Sequence, residues 1–149
     1  MTTVQWHFIF IGLNFLLIYV PRLIAVSVTY RNKEGSDFNQ TRIRQNSLTG
    51  FAGRAQAAHE NSFEAFAPFA VSIFVSHMGF VPPYLITVLA LSYTVTRILY
   101  ITFYLMDKPA LRIASWFLAI FITITLFFIP FLGSIYFCWF HPQLCNPSI

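Results

Sequence analysis

Charged and amide side chains recur at helical spacing within a segment that is otherwise strongly apolar. In the stretch GRAQAAHENSFEAFAPF, residues 53–69, three such residues are Arg54, Asn61 and Glu64. At about 100° per residue of an α-helix they lie within about 80° of one another and therefore share one face. An arginine on such a face can hold a carboxylate through two parallel hydrogen bonds. The face favours either an anion-binding site or a polar contact that fixes one helix against another.

A second polar face lies around the stretch TRILYITFYLMDKPALR, residues 96–112. The same angular argument places five residues within about 80° of one another on one helix; they are Tyr93, Arg97, Tyr100, Tyr104 and Asp107. The narrowness of this seam predicts that the two helices meet through their polar faces.

The elements that carry these faces have the composition of a membrane protein. The chain of 149 residues is 57% hydrophobic and 9% charged, whereas a soluble domain carries about a quarter charged residues. Four apolar segments, at about 4–30, 51–78, 84–106 and 111–139, each exceed the roughly 20 residues that span a bilayer. We therefore expect a single all-α domain that forms a polytopic bundle of four transmembrane helices. Pro21, Pro68 and Pro130 are expected to lie inside these helices, because membrane bundles tolerate proline kinks.

The polar residues of the second and third segments are expected near the middle of the membrane. A lone charge there costs about 2.5–3.5 kcal/mol on insertion scales. We therefore predict an ion pair between Glu64 and Arg97 with Asn61 bridging them, which would serve either ligand binding or helix register. His59 and Glu60 point away from this face and are expected at solvated or interfacial positions.

Positive charge is distributed unequally among the connections. The second connection, SHMGFVPPY, has no lysine or arginine. No lysine or arginine precedes Arg22 either, so the positive region typical of a secretory signal is missing, and the first apolar segment is expected to be retained. The other two connections contain the basic residues Arg31, Lys33, Arg42, Arg44 and Lys108, with Arg112 just beyond. Because positive loops face the cytoplasm, both termini are predicted on the outer side. No basic patch interleaved with aromatic residues indicates nucleic-acid binding.

The two cysteines lie near the C-terminus. Cys138 and Cys145 flank Pro142, and the charge pattern places them on the outer side, where thiols are oxidised. We predict a disulfide between them, with Cys138 as a free apolar residue at the membrane boundary as the alternative. His141 between them is a weak metal signal, and the spacing of histidine, cysteine and carboxylate residues predicts no metal site.

Both motifs together resemble the MAPEG family, the membrane-associated proteins of eicosanoid and glutathione metabolism. The resemblance rests on RAQAAHENSFEAFAPF, in which an asparagine follows the arginine by seven residues and a glutamate follows by three more. It rests equally on RILYITFYLMDKPALR and on four segments of matching length. Small bacterial members are the most similar, which suggests the bacterial inner membrane.

The resemblance implies a homotrimer that binds glutathione, as co-substrate, in clefts between protomers. Arg112 would stabilise the glutathione thiolate, with Tyr104 beside it as a second catalytic residue. The cleft-lining residues implied by position are Arg54, Asn61, Glu64, Arg97 and Tyr100. The activity implied is a glutathione-dependent transferase or peroxidase that acts on a lipophilic electrophile or hydroperoxide entering from the bilayer.

One position departs from the family pattern. Glutathione-using members carry a second arginine four residues before the asparagine, where this chain has Ala57. Arg22, Arg42 or Arg44 could replace that arginine. The alternative is a non-catalytic membrane protein of the same fold that binds lipid or serves as an accessory subunit.

Overall fold

Four long helices account for nearly all of the backbone that the computed structural model describes. It describes residues 3–31, 47–79 and 81–140, with side chains for 5–31, 47–79 and 81–132. The helices are α1 (Thr3–Arg31), α2 (Gly50–Met78), α3 (Pro83–Leu105) and α4 (Pro109–Phe140). The predicted all-α architecture is therefore confirmed, and Pro21, Pro68 and Pro130 lie inside helices as expected.

Three of the four helices have the length and apolarity to cross a membrane. Among the described residues, the candidate membrane spans are Gln5–Arg31, Pro83–Leu105 and Pro109–Leu132. α2 has 29 residues but falls short in apolarity, because Arg54, Glu60, Asn61 and Glu64 are concentrated in its first half. The four predicted helices are therefore present, and three of them qualify as membrane spans by length and apolarity.

α2 and α3 form the centre of the bundle. α2 packs against all three other helices, and α3 does the same. Two rings join these helices at the core, where Phe69 stacks on Tyr93 with centroids 3.8 Å apart and an interplanar angle of 2°. Ile73, Ile86 and Leu126 pack around them and are fully buried. This core fixes the rotation of α3 and hence the direction of its polar seam.

The connection between α3 and α4 is only three residues long. It closes in a Schellman motif, in which the Lys108 amide donates to the Phe103 carbonyl at 3.0 Å and the Asp107 amide to the Tyr104 carbonyl at 3.3 Å. Asp107 takes the left-handed conformation that the motif needs, with φ of 57°. Pro109 then begins α4, where its fixed φ suits the first helical position. The short turn ties the end of α3 rigidly to the first turn of α4.

Candidate functional site

Aromatic and cationic side chains form a continuous stack along α3 and into α4. The Arg97 guanidinium carbon lies 4.4 Å from the Tyr100 ring centroid. Tyr100 contacts Tyr104 edge to face at 5.6 Å, and the Arg112 guanidinium carbon lies 4.3 Å from the Tyr104 ring centroid. The spacing of three and four residues within α3 brings these groups together. The seam predicted from the sequence is therefore a chain of contacts with an arginine at each end.

The two arginines of the stack differ in environment. Arg97 is 3% exposed and donates to the Ser62 hydroxyl at 2.9 Å, whereas Arg112 is half-buried in the first turn of α4. We call Asn14, Ser62, Tyr93 and Arg97 the central cluster. The guanidinium that an incoming molecule can reach is that of Arg112.

A third arginine lies beside the turn between α3 and α4. Arg54 Nη1 is 3.6 Å from the Asp107 carboxylate, with side chains 30% and 68% exposed, respectively. Arg54 Nε is buried and has no hydrogen-bond partner among the described residues. We call Arg54, Tyr104, Asp107 and Arg112 the basic end. It combines two reachable guanidinium groups, a tyrosine ring and one carboxylate.

The predicted ion pair between Glu64 and Arg97 is absent from the described side chains. Arg97 bonds Ser62 instead, and its Nη1 has no partner, while Glu64 is exposed in the protomer. The small residues Ala55, Ala58 and Ser62 determine which face of α2 is buried. Glu64 lies about 200° around the helix from Ser62 and is therefore on the exposed side of α2 rather than on its buried face.

Asn61 also fails to bridge to Arg97. Its side-chain nitrogen donates to the carbonyl of Ala57 at 3.0 Å, within its own helix. Arg54 and Asn61 are half-buried and Glu64 is exposed. The polar face that these three residues form, called the predicted stripe below, therefore runs beside the buried face of α2. This leaves the stripe available to a second molecule.

Comparison with family models identifies the relationship that the motifs suggested. The model of the MAPEG family matches residues 4–132, which is most of the chain and includes both polar faces. The protein belongs to the MAPEG family. No curated protein sequence gives a significant match. Membership of this family, together with the three apolar helices, establishes an integral membrane protein.

A polar network on this MAPEG protein joins α1 to α2. Arg22 donates to the Gln56 side-chain oxygen at 2.6 Å, and the Gln56 amide donates to Glu60 at 2.8 Å. His59 Nδ1 lies 2.9 Å from the Ile18 carbonyl, which can only accept, so Nδ1 carries the proton. His59 is therefore a half-buried contact to α1, and Glu60 is exposed; whether either lies at the membrane interface stays a prediction. Arg42 and Arg44 lie outside the described residues.

The end of the bundle opposite Arg112 contains a pair of histidines that the sequence reading missed. His7 Nδ1 lies 2.9 Å from His77 Nε2, and His7 Nε2 lies 3.0 Å from the Pro83 carbonyl and 2.7 Å from the Thr87 hydroxyl. These contacts hold α1, α2 and α3 together. Asn14, seven residues after His7, was also missed, although that spacing places both on one helical face.

Metal binding receives no support within the described ranges. No group of three or more histidine, cysteine, aspartate or glutamate side chains gathers there. The side chain of Cys138, together with His141 and Cys145, lies outside the described residues, so the disulfide remains a prediction.

Proposed function

We propose that this MAPEG protein is a glutathione-dependent transferase or peroxidase that acts on lipophilic electrophiles or hydroperoxides. The observation that carries the proposal is the half-buried Arg112 guanidinium held over the Tyr104 ring at 4.3 Å. An arginine restrained in this way is a pre-organised site for an anion, because the ring fixes its plane without neutralising its charge. Family membership supplies the context of glutathione chemistry.

The basic end offers groups that fit the carboxylates of glutathione. Arg54 contacts Asp107 through Nη1 at 3.6 Å, and its Nε has no partner among the described residues. An arginine recognises a carboxylate best through two parallel N–H bonds, and the terminal nitrogens of the Arg54 side chain, which is 30% exposed, could supply them. Asn61 retains a free amide oxygen for the peptide N–H groups of the ligand. Ala57 leaves room beside these residues but contributes no charge.

Arg112 would lower the pKa of the bound thiol. A free thiol has a pKa of about 8.5, and lowering it by about two units requires about 2.7 kcal/mol of preferential thiolate stabilisation. The guanidinium and the N-terminal dipole of α4 both favour the anion, and the thiol proton leaves to water at the basic end. Glutathione supplies a sulfur nucleophile that bonds to the electrophile as the leaving group departs with its electron pair. Tyr104 holds Arg112 in place and its hydroxyl can donate to the reacting group.

A single protomer leaves the predicted stripe on α2 open. Glu64 is exposed and Asn61 is half-buried, and charged groups exposed to lipid are costly. We propose that a second protomer covers this face in a homotrimer. Native mass spectrometry in mild detergent tests the assembly, and a monomer at every concentration would remove the inter-subunit cleft.

The positive charge at the basic end supports one orientation of the protein in the membrane. We propose that the basic end faces the cytoplasm of a bacterial inner membrane and that both termini face outward. A single cysteine introduced at Lys108 in a variant without Cys138 and Cys145 tests this in intact cells. Labelling by a membrane-impermeant maleimide would contradict the orientation.

Glutathione titration into the purified protein in detergent tests the chemistry. We expect saturable binding and an ultraviolet thiolate band in the wild type, and loss of that band in Arg112→Ala with the trimer intact. Lys108→Ala is the matched control, because Lys108 is an exposed cation of the same turn outside the stack. If the wild type binds no glutathione, the non-catalytic alternative replaces the proposal. Equal bands in the wild type and in Arg112→Ala would remove Arg112 from the mechanism.

A further inference from the structure

A small polar cavity lies within the central cluster, between α1, α2 and α3. The volume open to the centre of a water molecule is about 10 Å³. This is close to the volume that one ordered water requires. The lining residues are Asn14, Leu17, Ile18, Ser62, Phe66, Tyr93 and Arg97. Two atoms of this lining, Asn14 Oδ1 and Arg97 Nη1, are buried without a hydrogen-bond partner in the described chain.

The amide orientation of Asn14 is fixed by its neighbours. Its Nδ2 donates to the Phe10 carbonyl at 2.9 Å and to the Thr94 hydroxyl at 2.8 Å. The Thr94 hydroxyl in turn donates to the Ala90 carbonyl at 2.8 Å. A flipped amide would set Oδ1 against the Phe10 carbonyl, so Oδ1 must face the cavity as an acceptor.

The hydroxyl protons around Arg97 are already committed. Ser62 donates to the Ala58 carbonyl at 2.7 Å, and Tyr93 donates to the Ala65 carbonyl at 2.9 Å. Both hydroxyl oxygens can therefore only accept, and Ser62 accepts from Arg97 Nη2. Arg97 Nη1 is left as a donor, with Asn14 Oδ1 as an acceptor on the same cavity.

We propose that one buried water molecule occupies this cavity and bridges Arg97 to Asn14. Its oxygen accepts from Arg97 Nη1, one hydrogen goes to Asn14 Oδ1, and the other meets an acceptor hydroxyl of Ser62 or Tyr93. A small anion satisfies Arg97 but meets the lone pairs of Asn14 Oδ1. Water is the ligand that matches both unpartnered atoms.

The bridge gives Arg97 a different role from that of Arg112. With Ser62 on one nitrogen, water on the other and the Tyr100 ring 4.4 Å from the guanidinium carbon, both terminal nitrogens of Arg97 have a partner within the protomer. Arg97 is then a positioning residue that connects α1 to α3 and supports the tyrosine stack. This inference does not depend on glutathione binding.

Hydroxyl-radical footprinting of the wild-type protein in detergent tests the water directly, because radicals form at bound water. We expect Tyr93, 2% exposed, to be oxidised severalfold faster than Phe69, the 0% exposed ring stacked on it. Asn14→Leu removes the acceptor and fills the space, so in this variant Tyr93 should no longer be oxidised faster than Phe69.

Two results would overturn the proposal. One is equal oxidation of Tyr93 and Phe69 in the wild type, a comparison that needs no variant to fold. The other is an anomalous-scattering peak in this cavity after a bromide soak of crystals, which would assign it to an anion. Neither measurement involves glutathione, so failure here and failure of the proposed activity are distinguishable.

Discussion

Two arginines of this protein lie over tyrosine rings at almost the same distance, 4.4 Å for Arg97 and 4.3 Å for Arg112. Arg97 is 3% exposed in the central cluster, and Arg112 is half-buried at the basic end. Arg97 and Arg112 therefore make the same contact with a tyrosine ring, and they differ in how far the rest of the protomer encloses them. A guanidinium enclosed by its own protomer stabilises the bundle, and one that remains reachable is available for chemistry. Variants in the two regions should separate these roles.

The largest effect is expected at the ring beneath the central cluster. Phe69→Ala removes the ring that stacks on Tyr93 in a fully buried position, which typically costs about 3–5 kcal/mol of unfolding free energy. Reversible denaturation in mixed micelles gives the value. Phe63→Ala is the control, because Phe63 lies on the same helix but is 63% exposed. Equal losses in both variants would show that the stack is not the core of the bundle.

A smaller loss is expected at the hydrogen bond to Arg97. Ser62→Ala removes the acceptor of Arg97 Nη2 and leaves a buried donor unsatisfied, which costs about 1–3 kcal/mol. The same denaturation assay applies, with Ser27→Ala as control because the exposed Ser27 hydroxyl bonds only the Ile24 carbonyl of its own helix. An unchanged unfolding free energy in Ser62→Ala would mean that Arg97 finds another partner and that the central cluster does not stabilise the fold.

The turn at the basic end should respond in the opposite direction. Asp107 has φ of 57°, and this region costs non-glycine residues roughly 1–2 kcal/mol, less for aspartate. Asp107→Gly should therefore raise the unfolding free energy by up to about 1 kcal/mol, less the small contribution of the exposed Arg54 pair. Asp107→Ala loses the same pair but retains the backbone cost, so the difference between the two variants isolates the conformation. A less stable glycine variant would contradict the argument.

The smallest effect is expected for Glu64. A double-mutant cycle of Glu64→Gln and Arg97→Met should give a coupling energy within about 0.5 kcal/mol of zero, because the two side chains form no ion pair among the described residues and are linked only indirectly through the neighbouring Tyr100. Glu64 is exposed in the protomer, and Arg97 bonds Ser62. A coupling above about 1 kcal/mol would restore the ion pair that the sequence suggested.

The fold could be predicted because its signals are local. Long apolar segments define the helices. Pro83 begins α3 and Pro109 begins α4, and proline favours the first position of a helix. The contacts among Arg97, Tyr100 and Tyr104 also follow from spacing within one helix. Arg112 was placed near them only through the resemblance to the family, and the three-residue connection is what brings it there in the structure.

The contacts between helices were not predictable in the same way. Angular spacing identifies which residues share a face, but the small residues Ala55, Ala58 and Ser62 decide which face of α2 meets its neighbours. The charged residues alone predicted Glu64 as the partner of Arg97, whereas its partner in the structure is the neutral Ser62. His7 and Asn14 were missed for the same reason, since both are uncharged residues in an otherwise apolar helix.

The limited apolarity of α2 has a consequence for how the protein enters the membrane. A helix with Arg54, Glu60 and Glu64 in its first half gains too little from lipid to be a stable span alone. α1 covers part of that helix, and α3 supplies the remaining polar contacts through Arg97 and Tyr93. During synthesis α2 emerges before α3, so its integration is expected to wait at the insertion machinery until α3 arrives. α2 is therefore expected to enter the membrane together with α3 rather than on its own.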